Sequence, residues 1–423
     1  MNAQSPLEDE HRFRNSEQLK LKAQALIAGF TQSMMKKPEQ FCEGRFPVYL
    51  NGGEGAEVID VDEHRYIDYI CGLGANMLGH NHPVIVEAIQ SSLQRGIIHS
   101  LPAPVEIDVA EILCDMIPGA ERVRFFKTGA DANSAAVRLA RHITGKQNII
   151  TIGYNGWHDQ YMFDTPGVPE VIAEYTQRMP LFRVEDEAPL LELIEQQGER
   201  LAAVLISLPY TRQVSGEFMR RLRDVCSAQH VLLIMDEVVT GFRLALGGAQ
   251  EYYQVQADLV TLSKSLAGGM PLSAITGPAE LMEPMAELQV STTFGGEMLS
   301  LEVCKAVLLE YQRSGYIEHI HRLGAQLKQG INAAAEQLEV PLRVVGYDPV
   351  PMFMFDRDMA VHAGYAEIFL GEMAERGVLL RRDVNFICAL HTQPQIAHTI
   401  DAASASLYAM RERGVFDTQG GVD

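Results

Sequence analysis

Val231-Leu232-Leu233-Ile234-Met235 runs without a break into Asp236-Glu237-Val238-Val239-Thr240-Gly241-Phe242-Arg243. An apolar run of strand length that stops at two acids and a glycine turn reads as a buried strand ending in a carboxylate. A second run, Leu259-Val260-Thr261-Leu262, delivers Ser263-Lys264-Ser265-Leu266-Ala267-Gly268-Gly269 and reads as a buried strand ending in an amine. In open α/β sheets ligands collect beyond the carboxyl ends of the strands, so both groups fall where a site is expected.

Outward from these runs the pattern is strand, helix, strand, helix. Pro83 to Arg95 and Val105 to Met116 read as amphipathic helices, Arg122 to Phe126 as a strand, and Ala132 to His142 as an alanine-rich helix. Asn148 to Thr151 and Ala203 to Ile206 read as further strands. The alternation predicts a mainly parallel sheet covered on both faces. Toward the N-terminus, residues 1 to about 40 read as polar helix with Leu19, Leu21, Leu26 and Ile27 as a sparse apolar face. Asn51-Gly52-Gly53-Glu54-Gly55 reads as a turn cluster, followed by a hairpin of Glu57 to Asp62 and Tyr66 to Ile70. After Leu299 a long helix leads into short strands at Leu342 to Val345 and Val350 to Phe355. The organisation expected is an N-terminal part of a small domain over 1–75, a large domain over 76–315 and the rest of the small domain over 316–423. The glycine-rich tail from Asp417 to Asp423 is expected to be disordered.

The 423 residues carry 35 Lys+Arg against 55 Asp+Glu, a formal charge of −20, which disfavours nucleic acid and anionic membrane as partners. No apolar run approaches the ~20 residues that span a bilayer, and Met1 to Arg14 lack the apolar core of a signal peptide. The six cysteines, Cys42, Cys71, Cys114, Cys226, Cys304 and Cys388, form no C-x-x-C pair and read as reduced thiols of a cytoplasmic protein. His80-Asn81-His82 and His319-Ile320-His321 have no partners at metal-ligand spacing, so no metal is expected.

An acid and an amine delivered to one sheet edge are what pyridoxal phosphate (PLP) requires. The lysine makes the Schiff base, and the carboxylate keeps the pyridine nitrogen protonated so that the ring acts as an electron sink. Three further segments fit beside them. Phe125-Phe126-Lys127-Thr128-Gly129-Ala130-Asp131-Ala132-Asn133 is a strand, a small-residue turn and a helix start, which makes an anion site for a cofactor phosphate. Gly153-Tyr154-Asn155-Gly156-Trp157-His158-Asp159 places aromatic rings, including the chain's single Trp, at another strand end. Ser291-Thr292-Thr293-Phe294-Gly295-Gly296-Glu297 is a hydroxyl-rich loop ahead of a helix. Taken singly, each also reads as an ordinary turn or capped loop.

In this order the segments resemble the class III PLP-dependent aminotransferases, most closely the glutamate-1-semialdehyde aminomutase branch, from about Pro47 to Thr392. The resemblance rests on Val61-Asp62 through Tyr66-Ile67-Asp68-Tyr69, on Gly79-His80-Asn81-His82-Pro83, on Asp236 through Arg243, and on Ser263-Lys264 with Gly268-Gly269 and Pro271. It implies fold type I: an α/β large domain with a mainly parallel seven-stranded sheet, plus a small α+β domain built from both chain ends. It also implies a homodimer with shared active sites. Lys264 would be the Schiff-base lysine and proton shuttle, and Asp236 the partner of the pyridine nitrogen. Val238 and Tyr154 would flank the ring, Thr128, Gly129 and Ala130 would form the phosphate cup, and Thr293 would reach the neighbouring subunit's phosphate. Arg45, Trp157 and Glu297 are the candidate substrate-side residues.

This chain departs from the family pattern at several of those positions. The usual S-G-T-E-A cup reads Thr128-Gly129-Ala130-Asp131-Ala132, which loses a hydroxyl at Ala130. Lys127, just before it, is expected to restore phosphate binding in part by charge. The usual Tyr-His-Gly reads Tyr154-Asn155-Gly156, Val239 stands where many members carry Gln, and the usual G-N-P reads Gly296-Glu297-Met298. The resemblance implies amino-group transfer between an amine donor and a small aldehyde or keto acceptor. An intramolecular amino shift by an aminomutase is the alternative. Racemases and decarboxylases use the same core, and a non-catalytic PLP-fold scaffold is the reading outside enzymology.

Overall fold

The computed structural model describes residues 12–417, so most of the glycine-rich tail and the first eleven residues lie outside it. The described chain forms two compact units. One takes the chain up to Leu73, Leu78–His82 and everything from His319 onward; the other holds Gly74–Met77 and Pro83–Glu318.

The first unit opens with the helix Arg14–Leu26. The expected helix does not continue to residue 40. Beyond Leu26 come turns and two single-turn 3₁₀ segments, Met34–Lys36 and Pro38–Gln40, because Gly29 at φ +74° and Pro38 punctuate the chain. Strands β1 (Leu50–Glu54), β2 (Glu57–Asp60) and β3 (Arg65–Asp68) follow as antiparallel neighbours. The glycine cluster expected as a turn is therefore mostly the strand β1. Gly53 is a packing glycine, since a Cβ there would stand 2.7 Å from the His80 ring.

The second unit carries the seven-stranded sheet. Its strands are β4 (Arg122–Phe126), β5 (Asn148–Ile152), β6 (Thr176–Met179), β7 (Leu201–Ile206), β8 (Leu232–Asp236), β9 (Leu259–Leu262) and β10 (Ser273–Gly277). The order is β4-β10-β9-β8-β7-β5-β6. All neighbours are parallel except β10, which runs antiparallel to both β4 and β9. Because β10 reverses twice, β4 points the same way as β9, and its carboxyl end shares the edge with those of β5, β8 and β9. Strand β7 is buried along its whole length, as expected for a strand covered on both faces.

The helix Gly129–Thr144 lies on this sheet through Ala132, Ala135, Ala136, Leu139 and Ala140, which join Phe126, Ile149, Leu205, Ile234, Leu259 and Ile275 in one apolar cluster. Alanine on the contact face lets the helix backbone come close to the strands, so that a short polar side chain from the same face can reach the sheet edge. The chain closes the first unit with β11 (Arg343–Tyr347) paired to β12 (Val350–Met354), and with β13 (Val378–Leu379) parallel to β3. The helices Met359–Glu375 and Gln393–Glu412 pack there as well.

Candidate active site

Asp236 is the last residue of β8 and is buried to 2% exposure. In the parallel ladder it stands opposite Thr261 of β9, and Lys264 follows three residues later. Two strands therefore bring the acid and the amine to one edge. Lys264 starts a 3₁₀ turn, Lys264–Ala267, at φ +44°. A non-glycine residue held in that region stores strain, a common feature of functional positions. The same residue's positive charge bears on Asp236.

The carboxylate is bound on both oxygens. Oδ2 accepts from Asn133 Nδ2 at 2.8 Å and from Asn155 Nδ2 at 2.9 Å, and Oδ1 accepts from the Val238 N–H at 3.1 Å. Asn133 is oriented in turn: its Oδ1 accepts from Thr261 Oγ1 at 2.6 Å, and its Nδ2 also donates to the Asn155 carbonyl at 2.9 Å. Burial pushes the Asp236 carboxyl above its ordinary range, while Asn155, the Val238 N–H, Asn133 and Lys264 pull it back.

The β4 turn forms the second side. Thr128 caps the helix: its Oγ1 accepts from Asp131 N at 3.1 Å, while Asp131 Oδ2 accepts from Thr128 N at 3.0 Å and from Thr128 Oγ1 at 2.8 Å. The Thr128 hydroxyl is thus engaged in the cap. The first intrahelical bond runs from Ala132 N to Thr128 O at 3.2 Å, so the N–H groups of Gly129 and Ala130 belong to the open helix end. Ser273 Oγ of β10 donates to the Thr128 carbonyl at 2.6 Å and pins the turn. A Cβ on Gly129 would meet Val238 Cγ2 at 2.7 Å, and one on Gly156 would meet Ala130 Cβ at 2.6 Å. The cup, Val238 and the β5 turn are therefore in mutual contact.

The remaining candidates divide. Tyr154 and Trp157 are exposed at 68% and 70%, on either side of buried Asn155. Thr293 is exposed and lines a groove of about 1060 Å³ with His99, Leu101, Glu106 and Phe125; this groove contains neither Asp236 nor Lys264. Glu297 caps the helix Met298–Ser314 through Ser300 N and accepts from Lys127 Nζ at 2.8 Å. Burial opposes the Glu297 charge, but Lys127 and Ser300 hold its carboxyl below the ordinary range. The Lys127 charge is thus met by Glu297. Arg45 is engaged in the other unit, with Nη2 2.7 Å from Glu372 Oε1 and Nε 2.6 Å from Glu375 Oε1.

Sequence reasoning assigned no role to Asn133, Asn155 or Thr261. A signal was present for the first. Asn133 is spaced i+3, i+4 and i+7 from Ala136, Val137 and Ala140, a polar residue on the stripe that faces the sheet.

A carboxylate accepts about four hydrogen bonds, and three are used here, which leaves one position on Oδ1. One open acceptor on a buried acid suits the single N–H of a pyridinium. The glycines that clear space between the cup, Val238 and the β5 turn suit a flat ring ending in a phosphate. The residues present fit PLP.

An acid and an amine at the ends of adjacent parallel strands, with a capped helix start and an aromatic turn on the same edge, define the fold type I class of PLP proteins. The profile of the family Aminotransferase class-III matches residues 42–396, and the chain belongs to that family. A glutamate-1-semialdehyde 2,1-aminomutase of Methanothermobacter thermautotrophicus is 33% identical over 94% of this chain and 99% of its own. One from Desulforamulus reducens is 31% identical over 92% and 97%. The FumI protein of Sphingopyxis sp. MTA144, solved with PLP, superposes with a TM-score of 0.88 at 24% identity over 96% of this chain and 98% of its own, a likeness that bears on the fold.

Proposed function

We propose that this chain is a PLP-dependent enzyme that moves an amino group within one small amino-carbonyl substrate, as an aminomutase. The observation that carries the PLP chemistry is the buried, amide-held Asp236 beside the strand that delivers Lys264. The curated relatives named aminomutase, each matched over nearly its whole length, support the intramolecular reading and move it ahead of the transfer reading that the residues alone put first.

When bound, the cofactor supplies an electron sink next to the substrate's amine-bearing carbon. Lys264 Nζ anchors the cofactor. The same Nζ would be the base that takes the proton from that carbon and gives it back as the amino group moves. Asp236 holds the ring nitrogen in its protonated form. The N–H groups of Gly129 and Ala130 receive the phosphate at the helix start, and Val238 and Tyr154 flank the ring. Thr293 serves the phosphate of a second copy in a homodimer. Its exposed position in the groove, beside exposed Ile98, Leu101 and Ile107, supports that assembly, which a solution mass measurement tests. Reduced thiols support a cytoplasmic setting: none of the six cysteines is in a disulfide.

Transamination between two substrates is the second reading, and Arg45 favours it. The aminomutase branch binds its substrate carboxylate near this position, yet here the guanidinium is committed to Glu372 and Glu375. Of the three substrate-side candidates only Trp157 is both exposed and outside an ion pair.

The test follows the absorption of the purified protein while amine donors are added with and without a keto acid. Turnover of a single amino-carbonyl compound with no external acceptor supports the aminomutase. Strict dependence on a keto acid gives the transferase. A protein that takes up no PLP refutes both.

A further inference from the structure

We propose that Asn155, with Asn133 and Thr261 behind it, is a positioning residue that fixes Asp236 with one oxygen aimed at the pyridine nitrogen. This inference rests on the PLP reading above. Asn133, Asn155 and Thr261 are all buried, the first two bonded to Asp236 directly and Thr261 bonded to Asn133 behind them. Their order is a relay. The Thr261 hydroxyl donates to Asn133 Oδ1, so the Asn133 amide nitrogen must face Asp236 and the Asn155 carbonyl. The Asn155 carbonyl, held in this way, keeps the β5 turn where its own Nδ2 reaches Asp236 Oδ2. Both acceptor sites of Oδ2 are filled by amides that carry no charge and never titrate, and the open acceptor is left on Oδ1.

The amides also decide the charge of the acid. A fully buried carboxyl tends to keep its proton, and a protonated Asp236 has no charge to set against a pyridinium. The titratable groups whose charge bears on Asp236 are Lys264 after β9, Glu237 in the continuation of β8, and Tyr161 in the segment after β5. Lys264 favours the ionised form only while its amine carries a proton, and its proposed work as proton carrier makes that charge come and go. Glu237 and Tyr161 oppose ionisation when charged. The uncharged donors are then what hold Asp236 ionised throughout the cycle. Asn155 stands where the family usually has His, so this chain uses a non-titrating donor at a position where an imidazole would change charge near neutrality.

The test compares binding of PLP with binding of 1-deaza-pyridoxal phosphate, in which a C–H replaces the ring nitrogen, to the wild type, Asn155→Ala, Thr261→Val and Thr261→Ser. Loss of one hydrogen bond to a charged group weakens PLP about ten-fold in N155A, while the deaza analogue changes by less than about two-fold. T261V shifts PLP in the same direction by a smaller factor, and T261S restores it. If N155A does not fold, the T261V and T261S pair carries the comparison. Equal losses for both cofactors in N155A and T261V, or no loss for either, overturn the positioning role. A wild-type protein that binds neither cofactor overturns the PLP reading, and the inference with it.

Discussion

Replacing Lys127 by Met separates two uses of its charge. Lys127 Nζ lies 2.8 Å from Glu297 Oε1, with side chains 17% and 9% exposed. Removing the ammonium leaves a nearly buried carboxylate with only the Ser300 N–H, 3.1 Å from each oxygen. Stranding one member of a buried pair costs about 3–5 kcal/mol, and the residual exposure of this one puts the loss at about 2–3 kcal/mol. For a domain of this size that lowers the melting temperature by roughly 5–10 °C. In K127M/E297Q the carboxylate is gone, the amide oxygen still caps Ser300, and the loss falls to about 1 kcal/mol. The double variant is therefore more stable than K127M alone. The effect is also pH-dependent. The folded Glu297 carboxyl lies below its ordinary value of 4.5, so the pair's contribution is present above that pH and is lost as pH falls through the folded value. The melting gap between wild type and K127M should close under acid conditions. Thermal melts of the cofactor-free proteins from pH 7 to pH 4 measure this. If K127M melts no lower than K127M/E297Q, the pair is not a structural strap. If K127M melts like the wild type but holds PLP less tightly, the charge serves the phosphate, as the sequence suggested.

Three further outcomes follow from the same contacts. Asp236→Asn keeps the shape and two of the hydrogen-bond acceptors but removes the charge; amino-group turnover should fall by about 10²–10³-fold with a melting point within a few degrees of wild type, and unchanged turnover would remove Asp236 from the chemistry. Burial pushes Glu237 up to about 7 despite its bonds from Thr240, Ala249 and Gln250. A raised folded value means its stabilisation is complete below about pH 4.5 and is lost as pH rises through 7, a swing of about 3 kcal/mol that E237Q should abolish when melts are compared across that range. Gly156→Ala forces a side chain into φ +122° and against Ala130 Cβ at 2.6 Å, so it should destabilise the chain by about 1–3 kcal/mol and loosen PLP, read by melting and by cofactor dialysis.

The strands that carry the site were legible because burial on both faces leaves uninterrupted apolar runs. Leu259–Leu262 is found at its expected bounds, and Val231–Met235 is offset by one residue so that Asp236 closes the strand. Strands β6 and β10 were not legible. Thr176–Met179 is an edge strand of mixed polarity, and Ser273–Gly277 is short, rich in small residues and antiparallel to both neighbours, so neither shows an apolar run or an alternation. The glycines of β1 misled for a physical reason. A glycine that makes room for a ring and one that makes a turn look alike in sequence, and only the His80 contact of Gly53 tells them apart.

In the site, residues named by their chemistry could be proposed from sequence, whereas those named by what they hold could not. Asp236 and Lys264 are ionisable groups at the ends of apolar runs, and that contrast is visible in a string of letters. Asn133, Asn155 and Thr261 are tied to one another and to Asp236 across separations of 22 to 128 residues. The departures Lys127 and Glu297 stood 170 residues apart as two unrelated substitutions until the fold placed one carboxylate against one ammonium. Each of these partners satisfies the other's buried polar group, so neither is explained alone. The same logic bears on the substrate: with Glu297 bound by Lys127 and Arg45 bound by Glu372 and Glu375, both charged residues that sequence offered to a substrate are already neutralised by the protein. Of the substrate-side candidates that leaves Trp157, exposed and outside an ion pair, which makes aromatic amino-carbonyl compounds and aromatic amine donors the first to try.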